Sequence, residues 1–175
     1  MRLHAEIIIL NILIFALLII CFTSANGQEE EYNQKLLKEI FEKGLVDSEF
    51  VFGKWDTSGN EETHLKYLGE LKTTDGKVFK VINESFHWGY SRHATSRILI
   101  FKGDNKFVGE YEVNSIFELP IKLSNGKLLF LNKEADCDKN LRNEIDFTGG
   151  VPKRIFLKCK GENGDLYILQ EHNEK

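Results

Sequence analysis

The 175-residue chain has little of several residue types that mark particular protein classes. It contains two prolines, one methionine and three cysteines, and its 23 basic and 27 acidic residues give a net charge of −4. This composition excludes collagen, coiled coils and membrane proteins with several spans. Because affinity for nucleic acid rests largely on a strong positive field, the mild acidity also excludes a general nucleic-acid binder.

The chain also lacks the short motifs of common catalytic and metal centres. It has no G-x-S-x-G, no H-E-x-x-H and no glycine-rich phosphate loop. Asp136 and Asp138 resemble the start of a calcium loop, but Leu141 stands where that loop needs glycine and Phe147 where it needs glutamate. The sequence therefore predicts no cofactor, no metal ion and no catalytic residue.

The one long hydrophobic run lies near the N-terminus. Residues 7–22 are apolar except for Asn11. Small and polar residues follow, and Ala25 and Gly27 occupy the positions that a signal peptidase reads before its cut. We therefore expect residues 1–27 to be a signal peptide, with the mature protein starting at the next residue.

The mature chain would be exported to the periplasm, the cell envelope or the exterior. The alternative is a membrane anchor formed by residues 7–22, although this run is shorter than the roughly 20 apolar residues that cross a bilayer as a helix. A lipid anchor on Cys21 is disfavoured, because the bulky Ile20 precedes it where lipoprotein signals carry a small residue. Membrane association is expected only if the signal stays uncleaved.

Two cysteines remain after the signal, Cys137 and Cys159. In an oxidising compartment, such an isolated pair favours a disulfide. Closing a loop of about 23 residues would stabilise the fold by about 3 kcal/mol on the chain-entropy model. Two partly buried, unpaired thiols are the alternative.

Residues 29–43 are predicted to form one amphipathic helix. Tyr32, Leu36 and Ile40 recur every four residues and form an apolar stripe. Gly44 is well placed to end the helix. The stripe indicates that this helix packs on one face or end of the protein.

From residue 48 onward, short β-like runs alternate with turn signals. After a first strand at 49–52, four hairpins are predicted, each with glycine in its turn. Their turns are Thr73–Gly76, Lys102–Lys106, Ser124–Gly126 and Gly161–Gly164. We expect about eight antiparallel strands in a sandwich or partly closed barrel, forming one mainly β domain over residues 28–175, at the margin of the α+β class.

The apolar residues of these runs predict the core. We expect it to include Leu36, Ile40, Phe79, Val81, Ile98, Ile100, Leu128, Phe130, Ile155, Leu157 and Ile168. Residues 134–146 are charged and are expected to form a short helix or a loop that crosses between sheets. Pro120 predicts that its strand lies at a sheet edge or begins there.

The most unusual stretch is residues 86–97, expected to connect a hairpin to the next strand. Its aromatic rings and guanidinium groups suit stacking and bidentate hydrogen bonding to a glycan, a peptide or a carboxylate. Alternatively, the aromatic residues belong to the core and the arginines pair with nearby carboxylates. The residues predicted to contact a ligand are Trp88, Tyr90, Arg92, His93 and Arg97.

The histidines do not predict a metal site. His87 and His93 are six residues apart, which matches neither one helix face nor adjacent same-face positions on a strand. His64 and His172 are distant in sequence, and His64 is expected in a solvated turn. A zinc hydrolase would need a third ligand and an activating carboxylate that the sequence does not nominate.

Three functions stay open. The favoured one is a non-enzymatic binding or accessory protein of the cell envelope or exterior, with an unidentified small ligand, glycan or protein as partner. The first alternative is a hydrolase of an envelope polymer or peptide, with His87 or His93 as general base. The second is an inhibitor-like or structural protein that binds through a sheet edge near Pro120.

Overall fold

The computed structural model describes residues 36–172 of the chain. The predicted signal peptide, its cleavage site and the first part of the predicted helix, residues 29–35, lie outside the described residues. These three expectations therefore stay predictions. The fold that follows is that of the described part.

Residues 36–43 are helical, as the sequence predicts. Ile40 is fully buried, while Lys38 and Glu42 form an exposed ion pair with Nζ and Oε1 3.7 Å apart, one helical turn from each other. The chain divides into two compact units after Glu42, and all of this helical segment except Lys43 belongs to the first. Within the described part, no helix has the length and apolar character needed to span a bilayer.

The second unit is built from antiparallel strands, which confirms the predicted fold class. The described residues form eleven strands where about eight are predicted, with a short 3-10 helix at Ile116–Glu118. The strands are β1 Glu49–Gly53, β2 Glu62–Lys72, β3 Val78–Trp88, β4 His93–Lys102, β5 Phe107–Val113, β6 Lys122–Ser124, β7 Lys127–Leu131, β8 Arg142–Asp146, β9 Arg154–Lys160, β10 Asn163–Ile168 and β11 Gln170–Glu171.

The strands make three sheets. The largest has six strands in the order β1-β2-β3-β4-β5-β11, so the first five form a meander and β11 pairs with the outer side of β5. The second sheet joins β9 to β10, and the third has the order β6-β7-β8. None of these sheets closes into a barrel, and the arrangement is sandwich-like.

The core lies between one face of the six-stranded sheet and the strands of the two smaller sheets. We refer to this face as the inner face. Its apolar part supplies Leu68, Leu71, Val81, Ile98, Ile100, Tyr111 and Val113, and the remainder of the core consists of Leu128, Phe130, Phe147, Ile155, Leu157 and Tyr167. Burial of this apolar surface is the main stabilising contribution to the fold.

Three predicted core residues differ from expectation. Ile168 is 58% exposed, because side chains alternate along β10 and its neighbour Tyr167 is the residue that enters the core. Leu36 and Phe79 are only half-buried. The remaining predicted core residues are buried.

The prediction of a helix or loop over residues 134–146 is wrong for its last part. Arg142–Asp146 forms β8, which pairs with β7. Arg142 and Glu144 are exposed, while Asn143 is buried between them. The sequence does not predict this strand, because charged residues occupy its exposed face and Asn143 takes a buried position where an apolar residue would be expected.

Pro120 is buried and lies two residues before β6, an edge strand of its sheet. Its carbonyl accepts a hydrogen bond of 2.7 Å from the Asn83 side-chain amide. Farther along, the Sγ atoms of Cys137 and Cys159 lie 2.06 Å apart, at disulfide-bonding distance. This pairing, which the sequence predicts, connects the loop before β8 to β9.

Candidate functional site

Residues 86–97 were expected to connect a hairpin to the next strand. In the structure they form the end of a hairpin made by β3 and β4. β3 extends to Trp88 and β4 begins at His93, and these two residues pair directly. The turn between them is only four residues long and is closed by a 3.2 Å hydrogen bond from the Arg92 N–H to the Gly89 carbonyl. Arg92 has a φ of +51°, a left-handed conformation that costs a non-glycine residue about 1–2 kcal/mol.

Aromatic and cationic side chains surround this turn, and we refer to them as the aromatic rim: Trp55, Trp88, Tyr90, Arg92 and His93. Trp88 is 42% exposed and Tyr90 is 76% exposed. The rings of Trp88 and His93 lie 5.0 Å apart, centroid to centroid. The guanidinium carbon of Arg92 lies 5.4 Å from the centre of the Trp55 ring, which is cation–π geometry.

The loop between β1 and β2 holds the turn in place. The indole N–H of Trp55 donates a 2.7 Å hydrogen bond to the Gly89 carbonyl. A Cβ atom on Gly59 would lie 3.5 Å from the Tyr90 ring, which is ordinary van der Waals contact. The rim is therefore assembled from two separate chain segments that contact each other.

Next to the rim, four polar side chains form a second group on the inner face, here termed the polar row: Glu62, His64, Ser85 and His87. Glu62 lies opposite His87 across the β2–β3 pair, and His64 lies opposite Ser85. Because residues two apart on a strand share a face, all four side chains project from the same face of the sheet. The expectation of a solvated turn around His64 is wrong, since His64 lies in β2.

The side chains of the polar row contact one another. The Nε2 atom of His64 lies 2.8 Å from Glu62 Oε1, and its Nδ1 atom lies 3.3 Å from the Glu49 carboxylate. The Nε2 atom of His87 lies 3.0 Å from the Ser85 hydroxyl. The two imidazole rings meet edge to face with centroids 5.2 Å apart.

Glu62 connects the polar row to the aromatic rim. Its carboxylate accepts hydrogen bonds from the Trp55 backbone N–H at 3.2 Å and from the Arg92 guanidinium at 3.1 Å. The hydrogen bond with His64, followed by those from Trp55 and Arg92, lowers the pKa of Glu62 to about 2. The carboxylate is therefore ionised at any physiological pH.

His87 has the opposite electrostatic setting. Burial, together with the nearby His64 and Arg92, lowers the pKa of His87, so its imidazole is neutral at pH 7. Its Nδ1 atom is buried and has no hydrogen-bond partner among the described residues. Asn83 Oδ1 and Ser96 Oγ, on the same face, are also buried without partners in the described part.

Such atoms are uncommon in folded proteins, where buried polar groups are nearly always hydrogen-bonded. Here three of them are concentrated on neighbouring positions of β3 and β4, because Ser96 pairs with Ser85 across the two strands. This concentration makes the polar end of the inner face the strongest candidate for a binding site.

Arg97 lies apart from the polar row. Its neighbour Ser96 is on the inner face, so alternation along β4 places Arg97 on the opposite face, which it shares with His93 and the paired Trp88. There its guanidinium lies 3.0 Å from Glu84 and 3.5 Å from Glu110. Four of the five predicted contact residues, Trp88, Tyr90, Arg92 and His93, therefore lie at the turn, whereas Arg97 lies farther along β4 and contacts two carboxylates.

Sequence reasoning missed Trp55, Glu62, His64 and Ser85. The sequence does contain a signal for Glu62, His64 and Ser85. If the two strands that flank the predicted turn at 73–76 are paired outward from that turn, Glu62 comes to lie opposite His87 and His64 opposite Ser85. The sequence does not make this pairing evident, because the apolar residues that indicate the two strands lie close to the turn and end before Glu62 and His87. Trp55, which follows β1 in a loop, had no comparable signal.

A second group of potential metal ligands consists of Asp136, Cys137 and Cys159. The two sulfur atoms are at bonding distance from each other, so they are not free to bind an ion. A small cavity beside them is lined in part by Asn143, whose amide bonds the Lys158 carbonyl at 2.9 Å. The polar groups of this region therefore bond to each other, and we do not consider it a candidate binding site.

The candidate site combines exposed aromatic rings, one guanidinium, two imidazoles and an ionised carboxylate. This set can stack against a flat or C–H-rich surface, donate hydrogen bonds, or bind a cation. Comparisons with protein-family models, with curated proteins and with solved structures found no match to this chain. The site itself therefore has to indicate the function.

Proposed function

We propose that this chain is an exported, non-enzymatic binding protein of the cell envelope or exterior, and that the aromatic rim binds a glycan. The observation that carries the proposal is the exposure of Trp88 and Tyr90, which are two residues apart at the end of one hairpin. Large aromatic rings are costly to leave in water and gain free energy when a ligand covers them. Two exposed aromatic rings at the end of one hairpin favour stacking on a ligand.

The rim is also held in place before any ligand arrives. The Trp55 indole N–H bonds the Gly89 carbonyl of the turn, and Arg92 lies between the Trp55 ring and the Glu62 carboxylate. Because the connecting groups are already ordered, binding would lose little conformational entropy. This supports recognition by a preformed surface.

The groups beside Tyr90 favour a glycan over a purely apolar ligand. Gly59 lies beside the Tyr90 ring, where an added Cβ atom would be 3.5 Å from it, and it belongs to a turn in which Asp56 Oδ2 accepts a 2.7 Å hydrogen bond from the Asn60 amide. Carboxylate and amide groups bind sugar hydroxyls, while the C–H face of a sugar ring packs on an aromatic ring. A peptide is the second ligand class that such a surface suits.

Export is part of the same proposal. The predicted signal at residues 1–27 supports it, and so does the cysteine pair at disulfide-bonding distance, since such pairs persist in oxidising compartments. The net charge of −4 supports a role that does not depend on nucleic acid or on an anionic lipid surface. Periplasmic, envelope-bound and secreted locations are all compatible with these features.

The sequence holds two tryptophans, Trp55 and Trp88, and both lie in the rim. Intrinsic tryptophan fluorescence therefore reports on this site alone. We expect a saturable change in emission when the protein is titrated with the right member of a panel of soluble envelope and host oligosaccharides. Tyr90→Ala should abolish the change and leave the melting temperature within about 1 °C of the original, because an exposed side chain contributes little to folding.

The matched control is Phe156→Ala, which removes another exposed aromatic ring, 39% accessible and located on β9. This variant should bind like the original protein. Equal loss of binding in both variants, or a large loss of stability in Tyr90→Ala, would contradict the proposal. So would the absence of a fluorescence response to glycans together with a response to peptides.

A hydrolase is the second candidate, and one observation favours it: the Ser85 hydroxyl lies 3.0 Å from His87 Nε2. In a serine hydrolase this nitrogen would accept the hydroxyl proton, and Nδ1–H would be oriented by a carboxylate. Nδ1 has no partner among the described residues, which makes this candidate weaker. Labelling of Ser85 by a fluorophosphonate, lost in Ser85→Ala, would establish it.

The third function, binding through a sheet edge near Pro120, has no comparable support. Pro120 is buried and the adjacent edge strand, β6, has only three residues. A stable intermolecular strand pairing needs a longer accessible edge.

A further inference from the structure

We propose that the polar row binds a divalent transition-metal ion of the zinc class, with Glu62, His64 and His87 as its ligands. One potential ligand atom from each residue lies within 4.8 Å of the other two. Around tetrahedral zinc, ligand atoms are about 3.3 Å apart, given bond lengths of roughly 2.0–2.1 Å. Side-chain rotations that move these atoms by about 1 Å would complete the site.

The ligand set fits this class of ion. Two imidazole nitrogens and one carboxylate oxygen are typical of zinc and of neighbouring first-row metals, whereas calcium and magnesium prefer oxygen atoms alone. Three protein ligands leave a fourth position for water or another ligand. In this respect the set resembles open zinc centres more than closed structural ones.

An independent observation comes from the outer contacts of the two histidines. Metal-binding histidines usually have their second nitrogen held by a carboxylate, a carbonyl or a hydroxyl. The Glu49 carboxylate lies 3.3 Å from His64 Nδ1, which assigns Nε2 to the metal, and the Ser85 hydroxyl holds His87 Nε2 at 3.0 Å, which assigns Nδ1. His87 Nδ1 is the buried atom that lacks a partner among the described residues.

The same hydrogen bond distinguishes this proposal from the hydrolase. For metal binding, His87 carries its proton on Nε2 and donates to Ser85, which frees the Nδ1 lone pair. For hydrolysis, Ser85 donates and the proton lies on Nδ1, buried without an acceptor. The geometry therefore favours metal binding over hydrolysis, because a buried Nδ1 lone pair without a partner can bind a cation, whereas a buried Nδ1–H without an acceptor has no such compensation.

Arg92 opposes metal binding in the present arrangement. Its guanidinium occupies the Glu62 oxygen that also contacts His64, at 3.1 Å, and it places a positive charge beside the site. Half of the Arg92 side chain is exposed, so it can turn into solvent when an ion binds. Removing this side chain should therefore strengthen metal binding.

The test is titration of the protein, purified from its exporting host without a histidine tag, with zinc chloride against a colorimetric chelator. We expect one ion per chain. His64→Ala and His87→Ala should each weaken binding on the order of 100-fold or more, and Ser85→Ala by about 10- to 100-fold. His93→Ala is the matched control, a histidine of the rim outside the row, and should bind zinc normally.

Arg92→Gly should bind zinc about 10-fold more tightly, because a competing cation is removed. Glycine also suits the left-handed conformation of this position, so the backbone should keep its shape. This gain in zinc affinity could not be explained by misfolding, since an unfolded variant would not bind zinc more tightly. Cobalt in place of zinc should give the visible absorption of a site with nitrogen and oxygen ligands.

The proposal is overturned if the unaltered protein does not bind zinc one to one, or if the His64 and His87 variants bind it unchanged. It is also overturned if Arg92→Gly gains nothing. It does not depend on the aromatic rim, because Tyr90→Ala should lose the glycan response and keep the zinc site. The two proposals can therefore fail separately.

Discussion

The inner face of the β3–β4 pair has two halves of opposite character. In one half, Val81 pairs with Ile100, and both side chains are fully buried in the core. In the other half, Ser85 pairs with Ser96 on the same two strands, and one of these hydroxyls has no partner in the described part. Strand geometry, register and burial are alike, and only the chemistry of the side chains changes.

This difference separates what folds the protein from what remains for function. The apolar half gains free energy from burial, so its residues are explained by stability alone. The polar half has buried atoms without partners, which lowers stability, and such a cost persists in proteins mainly where it serves a site. The two halves can be tested by substitutions that differ only in position along a strand.

The largest effect is expected in the apolar half. Ile100→Ala should lower the free energy of unfolding by about 3 kcal/mol, because it removes buried methyl groups and leaves a cavity in the core. Urea denaturation followed by circular dichroism would measure the change. A loss below about 1 kcal/mol would mean that this half is not the packed core, and the comparison would collapse.

A smaller effect is expected for Arg97→Met, on the opposite face of the same strand. It leaves the largely buried Glu84 without its main partner, and we expect a loss of about 1–2 kcal/mol at pH 7. Glycan and zinc binding should not change, because Arg97 lies outside both groups of residues. A loss of binding without a loss of stability would instead show that Arg97 contributes to ligand binding.

The pH dependence of that variant follows from Glu84. Burial raises the pKa of Glu84, and Arg97 opposes the rise, so the pKa should increase further in Arg97→Met. A folded chain that binds this proton more tightly than the unfolded chain loses stability as the pH rises through the folded pKa. The deficit should therefore shrink as the pH falls from neutral toward 4.5, the ordinary pKa of a glutamate side chain, and it should be insensitive to pH in the double variant with Glu84→Gln.

The smallest effect is expected in the polar half, and its sign is the informative quantity. Ser96→Ala removes a buried hydroxyl that has no partner among the described residues, so it should be neutral or stabilise the fold by up to about 1 kcal/mol. Ser85→Ala, the matched control, loses a hydrogen bond to His87 and should be slightly destabilising. Destabilisation by Ser96→Ala would show that the hydroxyl is satisfied after all.

Sequence patterns predicted the fold class because glycine turns and alternating apolar residues are local signals. The Asp75–Gly76 turn and the strands beside it were found for this reason. The β3–β4 turn is not evident from the sequence, since only the first of its two left-handed positions is a glycine, Gly89, and the second is Arg92, a residue without turn preference. The polar residues that extend β2 and β3 beyond the apolar alternation were missed as well.

The site could be predicted only in part for a related physical reason. The aromatic and basic residues of the turn are neighbours in sequence, so their concentration was visible. The contact between His64 and His87 is produced by register between two strands, and register depends on the whole hairpin and its bulge near Leu68. A site assembled across strands has no local signature.

The short strand β11 has a consequence for handling this protein. Gln170 and Glu171 pair with Glu110 and Gly109 along the outer side of β5, and this covers backbone groups that would otherwise recruit a second molecule into a growing aggregate. A methyl group on Gly109 would collide with the Gln170 carbonyl. The β5–β11 pairing, which protects this edge from pairing with another molecule, therefore requires glycine at position 109. A fusion tag or proteolysis near residue 170 would disrupt this pairing and expose the edge of β5.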